Sequence, residues 1–276
     1  PVFRALAQRA GIDFTLVYST YPGLPNVEAQ GFKAQHRHLK QWSIFGQQFM
    51  WHAGQWEFVS KKHADVVILS WSTRYLSLIP GLIRARLLGI PAIVWGHGYS
   101  KHERRWAFLA RKLVARLAKA VVFYGNTAAE RFVASGFDRR RVFVALNSLD
   151  QSAIAASRDY WLSHPEELAS FKHEQGVEGR DCVIFVSRLD AGNRVPVLVE
   201  AADILRKTMP TALVLIVGSG DDMGTLKRMV DERGLEDHVR LLGSIYDERK
   251  VGAYYCASKV FCYPRNIGLS ILHAMG

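Results

Sequence analysis

Apolar residues fall into two alternating rhythms along this chain. Short strand-length runs occupy 13–18, 65–70, 91–95, 120–124 and 141–145. Between them 76–88, 104–119 and 127–135 show helical spacing, and another helical stretch, 2–9, precedes the first run. Near-continuous apolar strands alternating with helices predict a parallel sheet covered on both faces. The pattern then restarts, with strands at 182–186, 212–217, 239–242 and 259–262 and helices at 195–208, 223–233 and 248–257. The polar, helical stretch 151–179 lacks a strand signal and reads as a connector. Two doubly wound α/β domains are expected, 1–150 and 180–276, facing each other across a cleft. The chain begins inside a helix and stops about two turns into another. A strand before residue 1 and about a hundred residues after 276 are therefore expected, and the second domain reads as incomplete.

Composition narrows the class. Of 276 residues 49% are hydrophobic and 22% charged, as in globular proteins. The longest apolar stretch, 75–95, is broken by Arg84, Arg86 and two prolines, so no segment reads as a membrane span. Cys182, Cys256 and Cys262 have no paired metal spacing and read as buried thiols of a reducing cytosol. Charge is uneven: residues 1–150 hold 21 Lys and Arg against 8 Asp and Glu, a net of +13, whereas residues 151–276 are at −2. A basic half beside a near-neutral one points to an anionic partner.

Candidate chemistry lies in three loops at the carboxyl ends of the second-half strands, where open α/β sheets bind ligands. The first, V-S-R-L-D-A-G-N-R-V, carries Arg188 and Arg194, two forked cations suited to a diphosphate. The second, V-G-S-G-D-D, has Gly218 and Gly220, which give a ligand room or simply make a tight turn. The third lies in V-F-C-Y-P-R-N-I-G-L-S-I-L-H-A-M-G, where Gly268 opens a helical pattern. Bare N–H groups of Gly268, Leu269 and Ser270 there would suit a phosphate. Each loop alone is more often structural. The three in strand order are harder to dismiss.

Those loops, with L-V-E-A-A at 198–202, P-T-A-L-V-L-I-V-G-S-G at 210–220 and V-R-L-L-G at 239–243, resemble family 4 retaining glycosyltransferases of the GT-B fold, two facing Rossmann-like domains. The first half matches more loosely, through I-V-W-G-H-G at 93–98 and V-A-L-N-S-L-D at 144–150. The resemblance implies transfer of a sugar from a nucleotide-sugar donor, UDP- or GDP-linked, to a polysaccharide or lipid-linked glycan with retention of configuration. It implies no separate cofactor, and the absence of any D-x-D agrees with a metal-independent enzyme. It assigns Arg188 to the donor diphosphate. The family's lysine falls on Asn193, leaving Arg194 to supply that cation. Gly268, Leu269 and Ser270 match the backbone phosphate site. The family's paired acids fall on Arg265 and His273: the imidazole can bond a ribose diol, whereas Arg265 accepts no hydrogen bond from a sugar hydroxyl. His97, between Gly96 and Gly98, is expected to contact donor or acceptor and support the transferred sugar. A lone histidine near a strand end is otherwise usually a satisfied core or surface group.

Two basic-half features carry open alternatives. Helix 104–119 sets Trp106, Leu109, Ala110, Leu113 and Leu117 on one side and Arg105, Arg111, Lys112, Arg116 and Lys119 largely elsewhere. It either covers the sheet with its apolar side or docks on anionic lipid. Segment 36–58 mixes Lys40 and histidines with Trp42, Phe45, Phe49, Trp51 and Trp56, as a bilayer-interface or sugar-binding wall or as a buried helical stripe. No nucleic-acid module is present. The expected protein is cytoplasmic and peripheral on the inner face of the cytoplasmic membrane. The alternatives are a non-catalytic nucleotide- or polyanion-binding protein of this fold and a sugar-nucleotide epimerase.

Overall fold

The computed structural model describes residues 2–20, 31–44, 47–72, 74–98, 105–265 and 268–276. Phe45, Arg104, Asn266 and Ile267, used in the expectations above, lie outside the described residues. The chain divides into two compact units, Pro1–Asn147 and Ser148–Gly276.

The first unit opens with α1 (Val2–Ala7), β1 (Thr15–Tyr18) and β2 (Lys33–His36), the two strands pairing in parallel. Strands β3 (Leu39–Ile44) and β4 (Gln47–His52) form an antiparallel pair that sets Lys40 opposite Trp51 and Trp42 opposite Phe49. Segment 36–58 is therefore mainly strand rather than a helical stripe: its side chains pair across strands with period two. After α2 (Gly54–Glu57) come β5 (Val67–Ser70), α3 (Leu78–Leu88), β6 (Ala92–Gly96), α4 (Arg105–Leu117), β7 (Ala120–Phe123), α5 (Asn126–Ala134) and β8 (Val142–Val144). The four later strands are parallel in the order β5-β6-β7-β8.

Every crossover in that sheet steps to the next strand in one direction, which for right-handed crossovers puts all three helices on one face. The core agrees: Leu78, Leu82 and Ala85 of α3, Ala115 of α4 and Phe132 of α5 share one cluster with Val67, Leu69, Val94, Val121 and Phe123. The opposite face stays partly open, with Ile68 47% and Phe143 53% exposed. Helix α4 does cover the sheet, but of the apolar side expected to do so only Leu117 packs inward. Phe108, Val114, Ala115 and Leu117 meet the core, whereas Trp106, Leu109 and Leu113 are 66%, 57% and 60% exposed.

The second unit begins with α6 (Gln151–Ser163), capped by the Asp150 carboxylate accepting from the Ser152 N–H, and α7 (Pro165–Glu174), started by proline with Glu166 and Glu167 in its first turn. Both belong to this unit. Trp161 Nε1 donates to the Arg249 carbonyl at 2.7 Å, and Phe171 meets Tyr254 edge-on. Strands β9 (Asp181–Val186), β10 (Ala212–Val217), β11 (Val239–Gly243) and β12 (Val260–Phe261) alternate with α8 (Pro196–Leu205), α9 (Met223–Arg233) and α10 (Glu248–Cys256), and α11 (Ser270–Met275) follows.

The order here is β11-β10-β9-β12, all parallel. Helices α8 and α9 pack on one face with Phe185, Val214 and Ile216. The chain then reverses past β9, and Tyr254 of α10 joins Ile184, Leu213 and Leu215 on the other face. All six residues of β10 are buried, as its unbroken A-L-V-L-I-V requires.

Candidate functional site

The reversal in strand order leaves a switch point between β9 and β12, where diverging connections open a crevice at the strand carboxyl ends. The loop after β9 is anchored by buried Leu189, whose N–H donates to the Ser219 carbonyl at 3.0 Å and whose carbonyl accepts from the Asp222 N–H at 3.0 Å. Asn193 ties the loop down. Its Nδ2 donates to the Arg188 carbonyl at 2.7 Å, and its Oδ1 accepts from the Tyr263 hydroxyl after β12 at 2.8 Å. Asn193, where the resemblance places a lysine, is neutral, and its carboxamide is committed to the loop. Arg188 and Arg194 are exposed, and no ion pair is described for either. Arg194 holds φ at 53°, the single non-glycine with positive φ among the described residues.

Gly218 and Gly220 are demanded by the loop itself. A Cβ on Gly218 would stand 1.9 Å from the Ser187 carbonyl oxygen and one on Gly220 2.3 Å from that of Leu189, with φ of 145° and 157°. Ser219 Oγ lies 2.7 Å from Ser244 Oγ, linking the loops after β10 and β11. Four strand ends are thus knitted into one scaffold by Leu189, Asn193, Tyr263 and the two serines. Of these, sequence reasoning singled out none as a site residue.

The terminal turn differs in detail from expectation. Helix α11 starts at Ser270, not Gly268, and the Leu272 N–H donates to the Leu269 carbonyl. A Cβ on Gly268 would meet nothing within 4 Å. Arg265 is exposed. His273 is packed against α10: its Nε2 lies 2.9 Å from Glu248 Oε2 and its ring stacks on Tyr255 at 5.3 Å. Burial pushes the Tyr255 hydroxyl far up, and that hydroxyl has no described partner. The site residues therefore form two groups. Arg188, Arg194, Gly218 and Gly220 share the knitted loops, while Gly268, Leu269, Ser270 and His273 lie at or on α11.

In the first unit His97 follows β6 and is exposed, its ring 4.8 Å from that of Tyr124 after β7. The flanking glycines have a packing cause. A Cβ on Gly96 would lie 2.7 Å from the Trp71 carbonyl oxygen, and one on Gly98, at φ 69°, 2.2 Å from Phe123 Cε1. Burial pushes the Cys182, Cys256 and Cys262 thiols up, so none is an activated thiolate. Among the described residues no cluster of His, Cys, Asp and Glu could hold a metal ion, and no helix is long and apolar enough to cross a membrane.

Residues 166–276 match the family described as Glycosyl transferases group 1. The GDP-mannose-dependent alpha-(1-6)-phosphatidylinositol monomannoside mannosyltransferase of Mycolicibacterium smegmatis is 28% identical over 196 residues, 68% of this chain and 48% of its own length. Over residues 166–276 the chain is similar to the group 1 glycosyltransferases. The alpha-D-kanosaminyltransferase of Streptomyces kanamyceticus is 25% identical over 181 residues, 60% of this chain and 45% of its own. Among solved structures, Alr3699/HepE of Anabaena in complex with UDP and glucose superposes with a TM-score of 0.60 at 19% identity, over 89% of this chain and 65% of its own. The fold is that of the GT-B glycosyltransferases, in two Rossmann-like parallel-sheet units. The chain spans about half the length of the relatives it matches, 48% for the first. The group 1 match covers all of α8 to α11, so every loop around the β9/β12 switch point falls inside it.

Proposed function

We propose that this chain is the donor-binding part, with part of the acceptor side, of a transferase that moves a hexose from a nucleotide sugar to a glycan or lipid-linked acceptor. The carrying observation is the pair of exposed arginines, Arg188 and Arg194, on a loop scaffold at the switch point inside the group 1 match. Two permanent cations neutralise the charge that develops on a departing diphosphate, with no proton to manage. Backbone N–H groups at Gly268, Leu269 and Ser270 add donors. The diphosphate departs on one face of the sugar as the C1–O bond to phosphate breaks; the acceptor hydroxyl arrives on that same face and passes its proton to the departing phosphate oxygen, which retains configuration without a covalent intermediate and without a metal. His97 would contact the transferred sugar or the acceptor. The relatives' names mention GDP-mannose and a phosphatidylinositol mannoside, and a neighbour was solved with UDP, which supports a UDP- or GDP-sugar donor and a membrane-borne acceptor.

Calorimetric titration of the chain with UDP and with GDP tests this reading. Arg188→Ala or Arg194→Ala should weaken binding about ten- to a hundredfold, the loss of a charged hydrogen-bond partner worth about 1.5–3 kcal/mol. Failure to bind either nucleotide would falsify the donor assignment. A second reading, nucleotide binding without transfer, is favoured by Arg265 and His273 at the acidic positions and by the Glu248 contact that holds His273. His97→Ala separates the two: under the transferase reading turnover falls while nucleotide affinity stays.

A further inference from the structure

Strands β6 and β7 each turn alternate side chains away from the helices. Val94, Val121 and Phe123 lie in the core that α3, α4 and α5 close. Alternation therefore sets Trp95 of β6 and Tyr124, just past β7, toward the opposite and partly open face. Both are half-buried and stand outside that core cluster. Their rings nonetheless touch, with centroids 5.5 Å apart and planes at 44°. The Tyr124 ring in turn meets the His97 imidazole edge to face, at 4.8 Å and 61°. The three rings form a row that ends on the histidine.

The main chain on either side of His97 is held without help from that row. The Tyr124 N–H donates to the Gly96 carbonyl at 3.4 Å, and Gly98, at φ 69°, lies hard against the Phe123 ring. A fixed backbone does not fix an imidazole, whose χ2 torsion is broad. His97 is exposed, so close packing on all sides does not fix it either. Burial pushes the Tyr124 hydroxyl up, so the phenol stays neutral at working pH. It acts on the imidazole through ring shape and quadrupole rather than through charge. Closing the core does not account for Tyr124, since the cluster is complete without it.

We infer that Tyr124 is a positioning residue: its ring, backed by Trp95, holds the His97 imidazole in the orientation in which it meets the sugar. The ring does this rather than the hydroxyl, because the contact is between the two rings. A misplacement of about 1 Å at a reacting centre can lose about a hundredfold in rate. A side chain that sets only the angle of the histidine therefore reaches turnover without touching the substrate. The inference deepens the part of the proposed function given to His97 and rests on it.

Release of nucleoside diphosphate from UDP-glucose and from GDP-mannose, by the chain and its variants, tests this role. Tyr124→Leu removes the ring and should lower kcat about ten- to a hundredfold, with KM for the donor unchanged. Tyr124→Phe keeps the ring and should restore most of the turnover. The double variant His97→Ala, Tyr124→Leu should be no slower than His97→Ala alone, because both changes act through one group. Penalties that multiply overturn the inference, and so does a Phe variant as slow as the Leu variant. The nuclear magnetic resonance signal of the His97 imidazole, identified by its loss in His97→Ala, reads the contact without turnover. It should move in Tyr124→Leu and stay near the parent position in Tyr124→Phe. A signal that Tyr124→Leu leaves in place overturns the inference by itself. Slow release in His97→Ala with parental release in Tyr124→Leu sinks the positioning role and leaves the proposed function standing. A chain that releases neither nucleoside diphosphate refutes the transferase reading, and the resonance then still decides whether Tyr124 holds the imidazole.

Discussion

The two four-stranded parallel sheets of this chain are made of the same parts and differ in which way their crossovers turn. In β5-β6-β7-β8 each connection steps the same way, so the helices gather on one face and no two neighbouring connections diverge. In β11-β10-β9-β12 one connection turns back, which covers the second face and opens a crevice at the turning point. One reversal therefore yields both a fully buried central strand and the loop scaffold that holds Arg188 and Arg194. The first sheet, lacking it among the described strands, leaves apolar surface on the outside.

The comparison breaks most directly at Gly218. Gly218→Ala should cost on the order of 4 kcal/mol, because the new Cβ collides with backbone at a φ that L residues avoid. Chemical denaturation should show the loss in the second unit's transition, with nucleotide binding lost as well. Next in size, Leu215→Ala on doubly covered β10 should cost about 3 kcal/mol, whereas Ile68→Ala on the open face should cost roughly 0.5 kcal/mol. Equal penalties would mean that the first sheet is covered as well as the second. Tyr263→Phe removes the hydroxyl that reaches Asn193 Oδ1 at 2.8 Å and Ser187 Oγ at 3.3 Å across the switch point. It should weaken nucleoside diphosphate binding about fivefold, for about 1 kcal/mol, with little change in melting.

The smallest effect concerns pH. Burial holds the His52 imidazole below its usual 6.5, outweighing the nearby Glu57 carboxylate. The fold thus keeps the neutral ring. Stability from this group is complete above pH 6.5 and drains as pH falls through 6.5 toward the lower folded value. The first unit should melt earlier at about pH 5 than at about pH 8, and His52→Gln should flatten that slope. A second-unit transition that moves with the same group would contradict the assignment.

Strong periodicity made most of the architecture legible. The run at 212–217 could only be a strand buried on both faces, and G-S-G at 218–220 marked a crowded turn. The pair β3 and β4 was not legible, since Trp42 and Phe49 are spaced for one helix side as well as for partners across two strands. For α4 the sequence showed that an apolar stripe existed but not which way it faced. The sheet takes the arc holding Phe108 and Ala115, leaving the larger stripe outside. The Asn193–Tyr263 bond joins residues 70 positions apart, and the His273–Glu248 contact joins two helices, so both are tertiary facts that no local pattern encodes.

Arg194 sits between tethered Asn193 and fully buried Val195, at φ 53°. A glycine there would relax the backbone by about 1 kcal/mol. A laboratory lineage selected for heat tolerance alone should therefore drift toward Arg194→Gly, whereas one selected for transfer should retain the strained arginine. The conformation of a single residue thus offers a record of which pressure has acted on the chain.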